Sequence, residues 1–258
     1  MSSNIFRIYK NKRSMIVFWL IVILPLIDQI QLFINKLKWD TNYNPYIASF
    51  LTGVSEGHIG QILLFWFLPI YLLILCSDDY IQDVQNGYNS IIISKLGKKE
   101  YIKTKLLTSF LFPASNMFIA LMLNLMLSII LFWKGTYSLD YFETDWTGNA
   151  LALFSQAYPS VTYILFLLNV CLITGLAGTI GMSISFIYPK RSIVYPLTFF
   201  IWFIQIVFHG SSLISIFQPF TEYGFPYVLP ILIRTIIVFT LIPIFIYFFK
   251  VKKDELHS

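Results

Sequence analysis

Charge is what this sequence has least of. Its 258 residues carry 13 acids against 18 Lys and Arg, 12% charged in all, beside 57% hydrophobic residues. A water-soluble domain of this length does not have that balance. Histidine is scarce as well: His58, His209 and His257 share no metal-ligand spacing and no H-E-x-x-H occurs, which argues against a metal site. The two cysteines, Cys76 and Cys171, fall at the end of one apolar run and in the middle of another, depths that do not favour pairing. No phosphate-binding G-x-x-x-x-G-K-[ST] loop is present, since the stretch Leu96 to Glu100 lacks the first glycine and the closing hydroxyl. The chain therefore does not hydrolyse ATP by itself. With no G-x-S-x-G elbow and no mid-membrane pair of carboxylates, neither an intramembrane enzyme nor a proton-coupled pump has its chemistry.

Long apolar runs fill the space that charge leaves. A helix needs about 20 mainly apolar residues to cross a bilayer core. Six runs approach or exceed that, at about 15–34, 59–76, 106–133, 161–188, 193–208 and 227–249. The expectation is an all-α polytopic membrane protein of six spans, with residues 15–249 as its transmembrane domain. Orientation follows from the cations, because short Lys- and Arg-rich loops stay in the cytoplasm. With the N-terminus inside, Arg7, Lys10, Lys12, Arg13, Lys95, Lys98, Lys99, Lys103, Lys105, Lys190, Arg191, Lys250, Lys252 and Lys253 all lie on the inner side. Only Lys36, Lys38, Lys134 and Arg234 fall towards the outer side. Both termini, segment 1–14 and tail 250–258, are then cytoplasmic. Cations spread over four short membrane-flanking segments mark topology and no nucleic-acid footprint.

Residues Asn4 to Arg13 alternate Ile5, Phe6, Ile8 and Tyr9 with basic residues at helical spacing, the pattern of a short interfacial helix. Segment 77–105 stands apart from its apolar surroundings. Ser77 can cap a helix whose first turn holds Asp78 and Asp79. Asn86-Gly87 stops it, Tyr88 to Leu96 resumes with three isoleucines, and Gly97 breaks it again before a basic run. A solvated loop has no use for Ile91, Ile92 and Ile93, which suit a protein partner better.

Within the spans, Gly175, Gly178 and Gly181 recur three apart, a spacing that lets helices approach closely in lipid. Pro113, Asn116 and Asn124 offer a kink or interhelical polar contacts in the third run. Leu213, Ile214, Ile216 and Phe217 give the last outer loop an apolar face, as a short re-entrant or interfacial helix would have. Asp28 and Arg234, the charges inside apparent spans, reach similar depth by residue count and are candidates for an intramembrane ion pair.

Taken together, these segments resemble the type-2 permease subunits of ATP-binding-cassette (ABC) exporters over nearly the whole chain. The family pattern in the second-to-third-span loop is matched by Asp83, Gly87, Ile91 to Ile93, Leu96-Gly97, Lys98-Lys99, Tyr101 and Lys105, although Asp83 stands where glutamate is frequent and Gly97 where proline is. The resemblance implies that this loop couples to a separate ATPase subunit through Asp83, Gly87, Tyr88, Ile91, Ile92 and Lys95. It also implies that ATP and Mg are bound by that partner and that this chain needs no cofactor. A second permease copy, or a homologous permease, would complete the pathway. The small size is similar to Gram-positive peptide-export and bacteriocin-immunity permeases, which implies the plasma membrane of a low-GC bacterium and an amphipathic or antimicrobial peptide as substrate. A lipid-linked polymer, a small toxic compound, or a membrane assembly or sensor role without transport are the alternatives.

Overall fold

The structure is a computed structural model that describes residues 2–55, 58–136 and 148–255. Residues 137–147 and 256–258, and with them part of the expected tail, lie outside the described residues, as do the side chains of Lys252 and Lys253.

The described residues form helices and connecting turns in the order α1 (Ser2–Lys10), α2 (Lys12–Trp39), α3 (Ile59–Gln61), α4 (Leu68–Leu72), α5 (Asp78–Gln85), α6 (Tyr88–Leu96), α7 (Lys98–Leu131), α8 (Ala150–Ala157), α9 (Pro159–Ile187), α10 (Arg191–Val207) and α11 (Phe225–Glu255). Four helices, α2, α7, α9 and α11, are long and apolar enough to cross a membrane, and a bent column makes five. That column runs through α3, α4 and α5, joined by π-helical turns at Ile62–Trp66 and Leu73–Ser77. The fifth expected span, at 193–208, is shorter: α10 has 17 residues.

The column bends by 53° between Trp66 and Leu68, and Pro69 explains how the bend is tolerated. Proline has no N–H, so the carbonyl of Phe65, four residues back, loses its ordinary helical donor. Trp202 on α10 supplies one, its indole Nε1 donating to Phe65 O at 2.8 Å inside the bundle. A carbonyl left open in an apolar interior would cost several kcal/mol, so the bend and the contact with α10 belong together.

Helix α9 lies at the centre, packed against α4, α7, α8, α10 and α11. The small residues do there what their spacing suggests, within one chain. A Cβ on Gly178 would come 2.3 Å from the backbone oxygen of Ser109 on α7, and Gly175 and Gly181 face Phe110 and Leu73. Both cysteines are free and buried, as their separation in the sequence implies.

The two ends of the bundle differ. One end gathers α1, α5, α6 and the starts of α2, α7 and α10. At the opposite end two connections fold inward. Ile47, Ala48, Ser49, Phe50 and Leu51 are all buried, although no helical period marks them. Asn124 of α7 holds this loop: its Oδ1 accepts from Phe50 N at 2.9 Å, while its Nδ2 donates to Pro25 O at 2.8 Å and to Gln29 Oε1 at 3.0 Å. Gln61 donates to the carbonyls of Phe50 and Leu51 at 2.7 and 3.0 Å. Irregular backbone survives among apolar helices only when its polar groups are answered by protein in this way. The second connection, a 3-10 turn at Leu213–Ile216, is the apolar segment expected between the last two spans. Its face points into the core, where Phe217 meets Phe65 at 5.0 Å between ring centroids.

Two sequence expectations are corrected. Ser77 caps nothing: it is helical and buried inside the π-turn, and the helix runs through it into α5. Asp28 and Arg234 do not pair within one chain. Arg234 donates to Ser211 Oγ at 2.7 Å and to Ser211 O at 2.8 Å, with its guanidinium over the Phe208 ring. Asp28 is buried on another side of the bundle, where its Oδ1 would lie 2.9 Å from a Cβ placed on Gly60. Equal depth along two helices says nothing of their facing, and here the faces diverge.

Candidate functional site

The polar end of the bundle is built from the acids of α5. Asp79 and Asp83 are four apart and therefore share one helical face. Arg7 of α1 reaches both, with Nη2 2.7 Å from Asp79 Oδ1 and 2.5 Å from Asp83 Oδ1. Lys105 of α7 also joins both carboxylates, lying 2.9 Å from Asp83 Oδ2. Tyr101, one turn earlier on α7, donates its hydroxyl to Asp83 Oδ2 at 3.0 Å. Two cations and two carboxylates thus form a neutral cluster, with the Asp83 and Lys105 side chains only 1% and 2% exposed. Burial disfavours the Arg7 charge, but the Asp83 hydrogen bond and the charges of Asp79 and Asp83 outweigh it and raise its pKa above the ordinary value. Every charge in the cluster is matched, which makes it a fixed joint.

Asp78 points the other way around α5 and ties it to α10. Arg191 Nε lies 3.1 Å from both Asp78 oxygens, and the Tyr195 hydroxyl donates to Asp78 Oδ1 at 3.0 Å. The first-turn acids, which the sequence presents as complements to a helix dipole, are thus the partners of Arg7, Lys105 and Arg191. Helix α5 is clamped to α1, α7 and α10 at once.

Helix α6 hangs from this clamp and buries no residue completely. Gly87 before it has φ 71° and Gly97 after it φ 77°, both positive, which a residue with a Cβ resists. A Cβ at either would meet nothing within 4 Å, so conformation and not crowding calls for glycine. Of the residues assigned to coupling, Tyr88, Ile91 and Lys95 are exposed on one face, with Tyr88 at 45% and Ile91 at 53%. Ile92 is half buried against the core beside Ile93. Asp83 is not on that face at all; it is the buried anchor. Tyr88 also lies under Arg7, 5.3 Å from the ring centroid to the guanidinium carbon, which connects the exposed helix to the cluster. Charge counting along the chain treats Arg7 and Lys105 as topology markers and passes over this role. The signal that points to it is the opposite one: three of only 13 acids fall within six residues, at the mouth of an apolar bundle.

Among the described residues no group of three or more His, Cys, Asp or Glu is arranged to hold a metal ion. A relative, the uncharacterized protein YybM of Bacillus subtilis strain 168, is 41% identical over 255 residues, covering 99% of this chain and 100% of that protein. No family model and no solved structure matches the chain.

Proposed function

The chain belongs to one family with Bacillus subtilis YybM, and we propose that it is the permease subunit of an ATP-driven ABC exporter. Its helices form six spans with both termini in the cytoplasm, two such subunits enclose the pathway, and a separate ATPase docks on α6. The observation that carries this reading is the construction of α6: a short helix, unburied, set off by two glycines of positive φ, and hung from a rigid ion-paired base at the cation-rich end. A helix meant only to connect spans needs neither the exposed isoleucine nor the clamp behind it. Force applied to α6 by a moving partner passes into α5 and from there to α1, α7 and α10 through short, charge-assisted bonds. An amphipathic or antimicrobial peptide is the substrate class proposed, by analogy with small permeases of this kind.

The test is a substitution on the exposed face. Ile91→Asp places a charge in the contact and is expected to reduce the ATPase co-purified from detergent-solubilised membranes by about thirty-fold, the loss of a contact residue worth about 2 kcal/mol. The permease itself should remain in the membrane at its normal level, because Ile91 is not part of the core. Undiminished co-purification contradicts the docking role of α6.

A further inference from the structure

Between the first turns of α2 and α10 lies a cleft of about 390 Å³ that carries two guanidinium groups, Arg13 and Arg191, and one carboxylate, Asp78. Arg191 commits Nε and Nη2 to Asp78, at 3.1 and 3.0 Å, and keeps the donors of Nη1. The Arg13 side chain makes no hydrogen bond or ion pair among the described residues. The Tyr195 hydroxyl, bonded to Asp78 at 3.0 Å, lies near enough to both arginines to feel their charges. Helix α11 reaches this end of the bundle elsewhere: its Lys250 lies beside Tyr80 and Val84, two and six residues on from Asp78 and about a third to a half of a turn round α5. Ile16, which borders the cleft, also opens an apolar groove of about 450 Å³ along α2. Ile16, Trp19, Ile23 and Ile27 recur on it every three or four residues, and all four are exposed. From Met15 to Ile27 the groove runs for about 18 Å, close to half of a hydrocarbon core about 30 Å thick.

We propose that cleft and groove together hold one anionic phospholipid, its phosphate between Arg13 and Arg191 and an acyl chain along α2. Two cations against one carboxylate leave the cleft with a positive charge to match. A guanidinium presents paired donors to phosphate oxygens, and Arg13 has its whole fork to offer. Asp78 is the one acid facing the phosphate, and its charge is already answered by Arg191 and the Tyr195 hydroxyl. Free phosphate has no use for the groove, whose length matches one leaflet. A zwitterionic lipid brings an ammonium group that the arginines repel. Basic pockets between helix ends at a membrane surface bind anionic headgroups by this combination of charge and apolar wall. The lipid joins the first turns of α2 and α10 and needs no docked ATPase, so the site stands or fails apart from the transport reading.

The experiment is native mass spectrometry of the delipidated chain titrated with dioleoyl phosphatidylglycerol or dioleoyl phosphatidylcholine. Phosphatidylglycerol should bind the more tightly, and Arg13→Gln should lower the ratio of the two affinities about five-fold. Lys99→Gln, which removes an exposed cation of the same end outside the cleft, should leave that ratio within about two-fold. Dihexanoyl phosphatidylglycerol, too short for the groove, should bind at least about ten-fold more weakly than the dioleoyl form. Should Arg13→Gln lower the thermal midpoint, Ile16→Glu carries the comparison: it sets a carboxylate where cleft meets groove, on an exposed position, and should lower the ratio as much. Equal affinity for the two lipids, an equal loss from Lys99→Gln, or displacement of phosphatidylglycerol by inorganic phosphate at matching concentration would overturn the proposal. So would phosphatidylglycerol found on the monomer and excluded from a dimer, since a second copy would then be what covers the α2 stripe.

Discussion

Asp83→Ala should destabilise the protein by about 3–5 kcal/mol, the range for removing one partner of a buried ion pair. Asp83 answers Arg7, Lys105 and Tyr101 together, and its removal leaves a net positive charge where Lys105 is almost fully enclosed. The remaining carboxylate, Asp79, cannot neutralise two cations. Asn at this position keeps the shape but not the charge and should be nearly as damaging. The loss should appear as a lower thermal midpoint and a smaller monodisperse fraction in mild detergent. A second change separates charge from packing: adding Lys105→Met to Asp83→Leu removes a cation with its anion and should recover part of the loss. If Asp83→Ala keeps the wild-type midpoint, the cluster is not the joint described above.

The second large effect is expected at Gly178. In an ordinary helix, Ala in place of Gly stabilises by up to about 1 kcal/mol. Here the sign reverses, because the added Cβ would lie 2.3 Å from Ser109 O and 3.2 Å from Pro113 Cγ, and a backbone oxygen cannot rotate away. Helices α7 and α9 would have to separate at this close approach. Gly178→Ala should cost about 1–3 kcal/mol, and Gly178→Val should abolish recovery of folded protein. The neighbours set a ranking. A Cβ on Gly175 would lie 2.8 Å from the Phe110 ring and 3.0 Å from its backbone oxygen, and one on Gly181 would lie 2.7 Å from the flexible end of Leu73 and 3.2 Å from the Ser77 hydroxyl. Ala substitutions should therefore damage in the order Gly178, Gly175, Gly181, as read from thermal midpoints. A flat series, or Gly181 as the worst, contradicts the packing register.

What the sequence makes legible is local. Asn86-Gly87 and Gly97 set the bounds of α6 because a glycine at positive φ leaves the helical path whatever surrounds it. The N-terminal segment forms α1 for an equally local reason: its apolar and basic residues already separate by face. The glycines of α9 are readable as a packing surface, yet not which helix they meet. Three-dimensional facing is the part the chain does not disclose. Depth counting brings Asp28 and Arg234 to one level, but rotation about the helix axes sends Arg234 to Ser211. The inward fold of residues 47–51 escapes a sequence reading because its partners come from afar. Asn124 lies 74 residues from Phe50, and no periodic pattern marks an irregular segment held by side-chain amides. The sequence puts Asp83 in the right neighbourhood but in the wrong role, since it anchors α6 from behind and does not face outward.

One measurement bears most directly on the transport reading: the mass of the complex purified from native membranes in mild detergent, taken by native mass spectrometry. Two copies of the 30.1 kDa chain, or one copy with a homologous permease, together with two copies of a nucleotide-binding subunit, is the expected result. The chain recovered alone or as a homo-oligomer, under conditions that keep other membrane complexes intact and with no nucleotide-binding subunit attached, would contradict it.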